Sequence, residues 1–130
     1  MNMSGEVTRT IPVGVIPDFI ICGGEAGRIY YTGWDKLYCI DTVGNTLFTF
    51  TDPNISGSPG ITTDDEGHVL VICDGSKNVI RISPDGKQSQ VIITQKPLSS
   101  DWYPCMCYNS LSKSVVIGGN DDNVYVYKKV

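Results

Sequence analysis

The sequence predicts an all-β chain assembled from a repeated four-stranded unit. Three observations carry that expectation. Short runs with period-2 alternation, "RIYYTG", "KLYCID", "TLFTFT", "HVLVIC", "NVIRIS", "SQVIIT", "SVVIGG" and "NVYVYK", recur between polar turn clusters. No stretch keeps apolar residues at i, i+3, i+4 and i+7 for long enough to make a helix. The runs also repeat as sets: Pro17, Pro59 and Pro104 each open an apolar segment, and Gly5, Gly44 and Gly86 each precede a set's last strand.

The four strands of a set are labelled a to d. Residues 6–11 follow Gly5 and read as a strand d. A full set spans 17–51, a second spans 59–94, and 104–130 holds strands a, b and c. Strand a follows the proline, and strands b and c are β-branched hairpin partners. Strand d follows a "VG" or "DG" turn, whose glycine supplies the positive φ of a tight hairpin. "HVLVICDGSKNVIRI" lies over "KSVVIGGNDDNVYVY" at a constant offset of 45, so Val71 meets Val116, Ile72 meets Ile117, Asn78 meets Asn123 and Ile82 meets Tyr127. The first set aligns after deletion of two turn residues, where hairpin length is free to vary. Four strands in 42 to 45 residues match one β-propeller blade.

Propellers close with about 4 to 8 blades, so three blades make no ring. The chain is therefore expected to be either a fragment of a longer propeller or half of a six-bladed one closed by a homodimer. In the second case each strand over 6–11 completes the other chain's last set. A lone copy would expose strand edges that invite pairing.

Composition narrows the function classes. At 130 residues the chain has the length of one domain, with 41% apolar and 18% charged residues. Its 14 glycines exceed the nine or so that average usage of about 7% would give, in keeping with many tight turns. The net charge of -4 gives little support to a phosphate-binding surface. Five cysteines (Cys22, Cys39, Cys73, Cys105, Cys107) lie scattered in apolar runs, which predicts reduced, buried thiols and a cytoplasmic location. His68 is the only histidine and there is no C-x-x-C pair, so no zinc site and no cofactor is expected. "IPVGVIPDFIIC" is broken by Pro12, Pro17 and Asp18 and does not read as a signal peptide. No run approaches the roughly 18 apolar residues of a membrane helix.

Trp34-Asp35 and Gly67-His68 evoke WD40 repeats, but they occur in the wrong order and in no other copy. The unit "GITTDDEGHVLVICD…NVIRISPDGK" instead resembles an NHL blade, and the chain as a whole resembles the propeller of tripartite-motif NHL proteins. Asp74, Asn78 and Arg81 are spaced more widely than in the usual NHL signature, and the other copies carry Cys39 and Val126 where the arginine belongs. The resemblance implies a six-bladed propeller with a binding face, in proteins whose RING and B-box zinc modules supply ubiquitin-ligase activity. Those modules are not in this sequence.

Propellers usually bind through the loops at one end, here the d–a and b–c connections. These carry Trp34, Asp35, Lys36, Asp74, Lys77, Trp102, Tyr103, Asp121 and Asp122 as candidate binding residues. Exposed Trp and Tyr make good protein-interface anchors, so the expected role is a non-catalytic scaffold for protein partners. Single-stranded RNA is an alternative, since the aromatics could stack bases, but the charge disfavours it. A calcium-dependent lactonase-like enzyme is another, and needs several hard oxygen ligands on one ion. Asp18, Gly60 and Cys105 follow the three prolines, so only one copy offers a carboxylate there. Asp121-Asp122 and Asp85-Gly86 read first as turn chemistry. His68 lacks a partner that would make it catalytic.

Overall fold

The period-2 runs are realised as antiparallel hairpins. The computed structural model describes residues 5–17, 19–23, 27–33, 35–53, 55, 60–73, 78–94, 105–118 and 122–128, and among these there are eleven strands and no helix. β1 (Phe19–Cys22), β2 (Ile29–Thr32), β3 (Lys36–Ile40) and β4 (Thr46–Thr51) form one meander. β5 (Gly60–Thr63), β6 (Val69–Ile72), β7 (Asn78–Ile82) and β8 (Ser89–Thr94) form the second. β9 (Cys105–Asn109), β10 (Ser114–Gly118) and β11 (Tyr125–Lys128) form a three-stranded third sheet.

Neighbouring sheets meet through their first strands, with β5 touching β1 on one side and β9 on the other. The sheets are thus blades stacked side by side with first strands innermost, and the fold is that of a β-propeller fragment. The middle blade is buried on both faces. Val69, Val71, Ile80 and Ile82 pack with Tyr30, Leu37 and Cys39 of the first blade. Leu70, Ile72 and Val79 pack with Val115 and Ile117 of the third. That explains the unbroken apolar run "VLVI" of β6, which has no wet face. The outermost strand β8 is mostly exposed.

Between the first two blades the fit is close. Arg28 donates to the Pro84 carbonyl, tying the first blade to the β7–β8 turn of the second. Phe48 lies against the same turn, its ring 2.3 Å from where a Cβ on Gly86 would stand. Gly86 also holds φ at 74°, so glycine is required there for both space and conformation. Burial pushes the Tyr30 hydroxyl up, offset in part by a hydrogen bond from Arg28. It pushes the Cys39 thiol up too, which keeps that sulfur protonated and inert.

Three expectations from the sequence need correction. Residues 6–11 join no sheet among the described residues. The gapless offset of 45 holds for β7 over β11 but not for β6 over β10. Val69 pairs with Ile82 in the second blade, and Val115 with Tyr127 in the third. The β9–β10 turn is therefore one residue longer and the β10–β11 hairpin one shorter. A one-residue shift turns a strand's side chains to the other face, so Val115 and Ile117 are buried and Val116 only partly so. The two-residue deletion between the first and second blades does match the pairing, with Tyr30–Cys39 corresponding to Leu70–Arg81. All five cysteines are free, but Cys22, Cys105 and Cys107 are exposed.

The c–d turns use side-chain acceptors to hold their backbones. Asp41 Oδ1 accepts from the amides of Val43, Gly44 and Asn45 at 2.9 Å each. The backbone and side chain of Asn45, with those other amides, hold the Asp41 carboxyl below its ordinary value. A depressed carboxylate stabilises the fold above its unfolded pKa of about 3.9 and loses that contribution as pH falls through the folded value. The Asp41→Ala variant should thus be less stable than wild type at neutral pH, with the gap narrowing in denaturant titrations below about pH 3.9. Core truncation should be costlier: Ile80→Ala, at a side chain only 1% exposed, should lose about 2 to 5 kcal/mol in urea unfolding. Ile92→Ala, 37% exposed, should lose less than about 1.5 kcal/mol.

Candidate functional site

Among the clefts that carry polar groups, one lies at the loop end and one between blades. The loop-end cleft encloses about 300 Å³ between the β2–β3 hairpin and the segment after β4, and is lined by Asp35, Thr51, Asp52, Pro53 and Ile55. Ile55 anchors its floor: the side chain is 3% exposed within the first core cluster, and its amide donates to the Asp52 carbonyl at 2.9 Å. Gly33 N–H closes the hairpin on the Lys36 carbonyl at 3.0 Å, which fixes where Asp35 emerges. The result is an apolar floor with two carboxylates at its rim.

Of the residues singled out in the sequence, Asp35 lines this cleft, and Lys36 begins β3 beside it, half-buried. Asp122 is exposed in the β10–β11 connection and does not line the cleft. Trp34, Asp74, Lys77, Trp102, Tyr103 and Asp121 lie outside the described residues. Asp52 follows β4 as Asp35 precedes β3, and the pairing of Lys36 with Thr51 brings the two together at the open end of the β3–β4 hairpin.

The second cleft, about 370 Å³, opens between the middle and third blades and is lined by Asp64, Arg81, Gln90, Tyr108, Tyr127, Lys128 and apolar neighbours. Its origin lies in one pair of substitutions between repeats. In the first blade Cys39 stands opposite Phe48, whose ring fills the gap to the next blade. In the second, Arg81 stands opposite Gln90, and Arg81 Nη2 donates to Gln90 Oε1 at 3.3 Å. A solvent-exposed polar pair thus replaces a packed ring. The aligned repeats held this signal, although only the arginine drew notice as an NHL feature.

Asp64 works as a turn-former. Its Oδ1 accepts from the amides of Glu66 and His68 at 2.9 Å each, and its Oδ2 lies 3.3 Å from His68 Nδ1. His68 is thereby held to its own hairpin. Tyr108 donates to Asp65 Oδ1 at 3.0 Å, and Lys113 pairs with Asp65 Oδ2. These bonds tie the third blade to the middle one. Among the described residues no three of His, Cys, Asp and Glu come together in a metal-binding group.

No family model matches the chain, and no curated protein matches it. Solved structures do. A virginiamycin B lyase from Staphylococcus aureus superposes with a TM-score of 0.61 at 16% identity, over 92% of this chain and 43% of that one. A streptogramin B lyase superposes with a TM-score of 0.55 at 17% identity, over 82% of this chain and 39% of that one. The chain thus spans about two fifths of the length of the structures it matches. At such identity the likeness shows the fold: a β-propeller, with no preference for the tripartite-motif NHL type. It also corrects one expectation. Both of these propellers are enzymes by name, so the expectation that this chain is no enzyme does not stand.

If the second cleft exists because Arg81 and Gln90 replace a cysteine and a phenylalanine, restoring that pair should fill it. The double variant Arg81→Cys, Gln90→Phe should gain about 0.5 to 2 kcal/mol in denaturant unfolding, as cavity-filling changes commonly do.

Proposed function

We propose that the chain supplies blades of a β-propeller that binds a protein partner at its loop end, through a segment carrying both basic and apolar side chains. The loop-end cleft carries this reading. Its floor of Pro53 and buried Ile55 suits an apolar side chain, and Asp35 and Asp52 at the rim suit a lysine or arginine beside it. The chain's net charge of -4 favours a cationic partner in the same direction. Rim charges act mostly on association and on salt dependence, so binding of this kind weakens as ionic strength rises. A fluorescein-labelled peptide alternating lysine and leucine is the probe. Its anisotropy should rise with the wild-type chain. The Asp35→Asn, Asp52→Asn variant should bind at least about fivefold more weakly, a loss of about 1 kcal/mol. Equal binding by both would overturn the reading.

A second reading is favoured by the structural likeness to two lyases: the blades belong to a catalytic propeller. Incubation of the chain with streptogramin B, followed by mass spectrometry, separates the two. Turnover would establish the enzyme, and an unchanged substrate would leave the binding reading ahead for that substrate class.

A further inference from the structure

We propose that the cleft between the middle and third blades binds a small aromatic carboxylate, with its ring where the neighbouring seam places a phenylalanine and its carboxylate on Arg81. This inference stands apart from the loop-end reading and uses different residues.

The contrast between the two seams carries it. In the first seam, Tyr30, Cys39 and Phe48 form a row across three strands of one blade. That row packs against Val69 and Ile82, a cross-strand pair on the next blade. Phe48 completes it with a ring, whose centroid lies 6.4 Å from that of Tyr30. In the second seam the corresponding row is Leu70, Arg81 and Gln90. The row across from it is Tyr108, Val115 and Tyr127.

The inner part of this second seam is closed and aliphatic, with Leu70 1% and Val115 5% exposed. The outer part differs, because Gln90 stands where the first seam has a ring, and a cleft of about 370 Å³ opens there. Ligand pockets run from roughly 300 to 1,000 Å³, so the space is adequate for a small molecule. Sheets that face each other lie about 10 Å apart. A flat ring is the shape that enters such a gap, and Tyr108 and Tyr127 offer it aromatic neighbours.

Charge selects the other end of the ligand. Arg81 is half-buried, and its guanidinium donates to the neutral amide oxygen of Gln90. Among the described residues no carboxylate forms an ion pair with it. Lys128 adds a second cation to the lining. Asp64 is the opposing charge, but its side chain is only 2% exposed. Its oxygens accept from the Glu66 and His68 amides and face His68 Nδ1. An anion entering the cleft thus meets two cations, with the Asp64 carboxylate already engaged. The guanidinium fork matches a planar carboxylate, which it can hold by two parallel hydrogen bonds. A polar hollow of about 280 Å³, lined by His68, Ser83 and Gln88, shares Arg81 and Gln90 with the cleft. The charged end therefore meets polar groups while the ring stays between the blades.

Equilibrium dialysis of the chain against 2-naphthoate, with the uncharged 2-naphthamide as control, tests this. The acid should bind saturably with a Kd at or below about 1 mM. It should bind at least about fivefold more tightly than the amide, and Arg81→Gln should erase that preference. The Arg81→Cys, Gln90→Phe variant, expected to be more stable than wild type, should lose saturable binding, which separates loss of the site from unfolding. Asp35→Asn, Asp52→Asn, at the loop-end cleft, should leave binding unchanged. No saturable binding up to about 5 mM, or equal affinity for acid and amide, would sink the proposal. So would undiminished binding by the Arg81→Cys, Gln90→Phe variant while its circular dichroism matches wild type. Loss of binding in the Asp35→Asn, Asp52→Asn variant would place the ligand in the loop-end cleft and sink it equally.

Discussion

Burial of the middle blade from both sides is the interaction on which the rest of this structure depends. A four-stranded meander alone has one face it cannot leave in water and too few strands to be secure. Here Val69, Val71, Ile80 and Ile82 turn one way while Leu70, Ile72 and Val79 turn the other, and all are at most 1% exposed. At about 1.5 to 3 kcal/mol for each such side chain taken from water, this double contact holds all three sheets in one body. The first strands sit innermost because there the blades come nearest, and the fourth strands stay largely wet because there the blades splay apart.

The two inter-blade seams solve one problem differently. The first is dry and tight, with Phe48 laid over Gly86 and Arg28 reaching Pro84. The second is wetter, with Arg81 against Gln90 in a cleft, and relies on Tyr108 and Lys113 reaching Asp65 at the turn. Such variation is cheap in a propeller because each seam is built locally, and a change in one leaves the next unaltered. Loop ends vary for the same reason, which is how one scaffold carries binding and catalysis alike.

Much of the architecture was legible in the chain. The alternating runs, the spaced prolines and the turn glycines mark the eleven strands of the three sheets and their grouping, with a twelfth expected over 6–11 that joins no sheet among the described residues, since period 2 and positive φ are local demands of the backbone. The register of the third blade was not legible. "SVVIGG" is apolar at every position that mattered, so only contact with the middle blade decides that Val115 and Ile117 face inward. The free state of all five cysteines was anticipated, yet three are exposed, because a run that looks buried can lie on a blade face with no neighbouring sheet. Of the site, Asp35 was marked from the sequence as a loop residue. Asp52 falls in a d–a loop at the same end but was not among the candidate binding residues, because it lies a whole hairpin away in sequence.

By itself, then, the sequence determined the repeat: four strands to a unit, where each unit turns, and which residues can bend there. Those are properties of neighbouring residues and survive in any context. Only the tertiary structure decided which face of each strand is buried and which carboxylates share a cleft. It also decided where the segment over 6–11 rests, against Thr42 and Gly44. Those depend on blades meeting across long stretches of chain, and no local pattern encodes the partner on the other side of a seam.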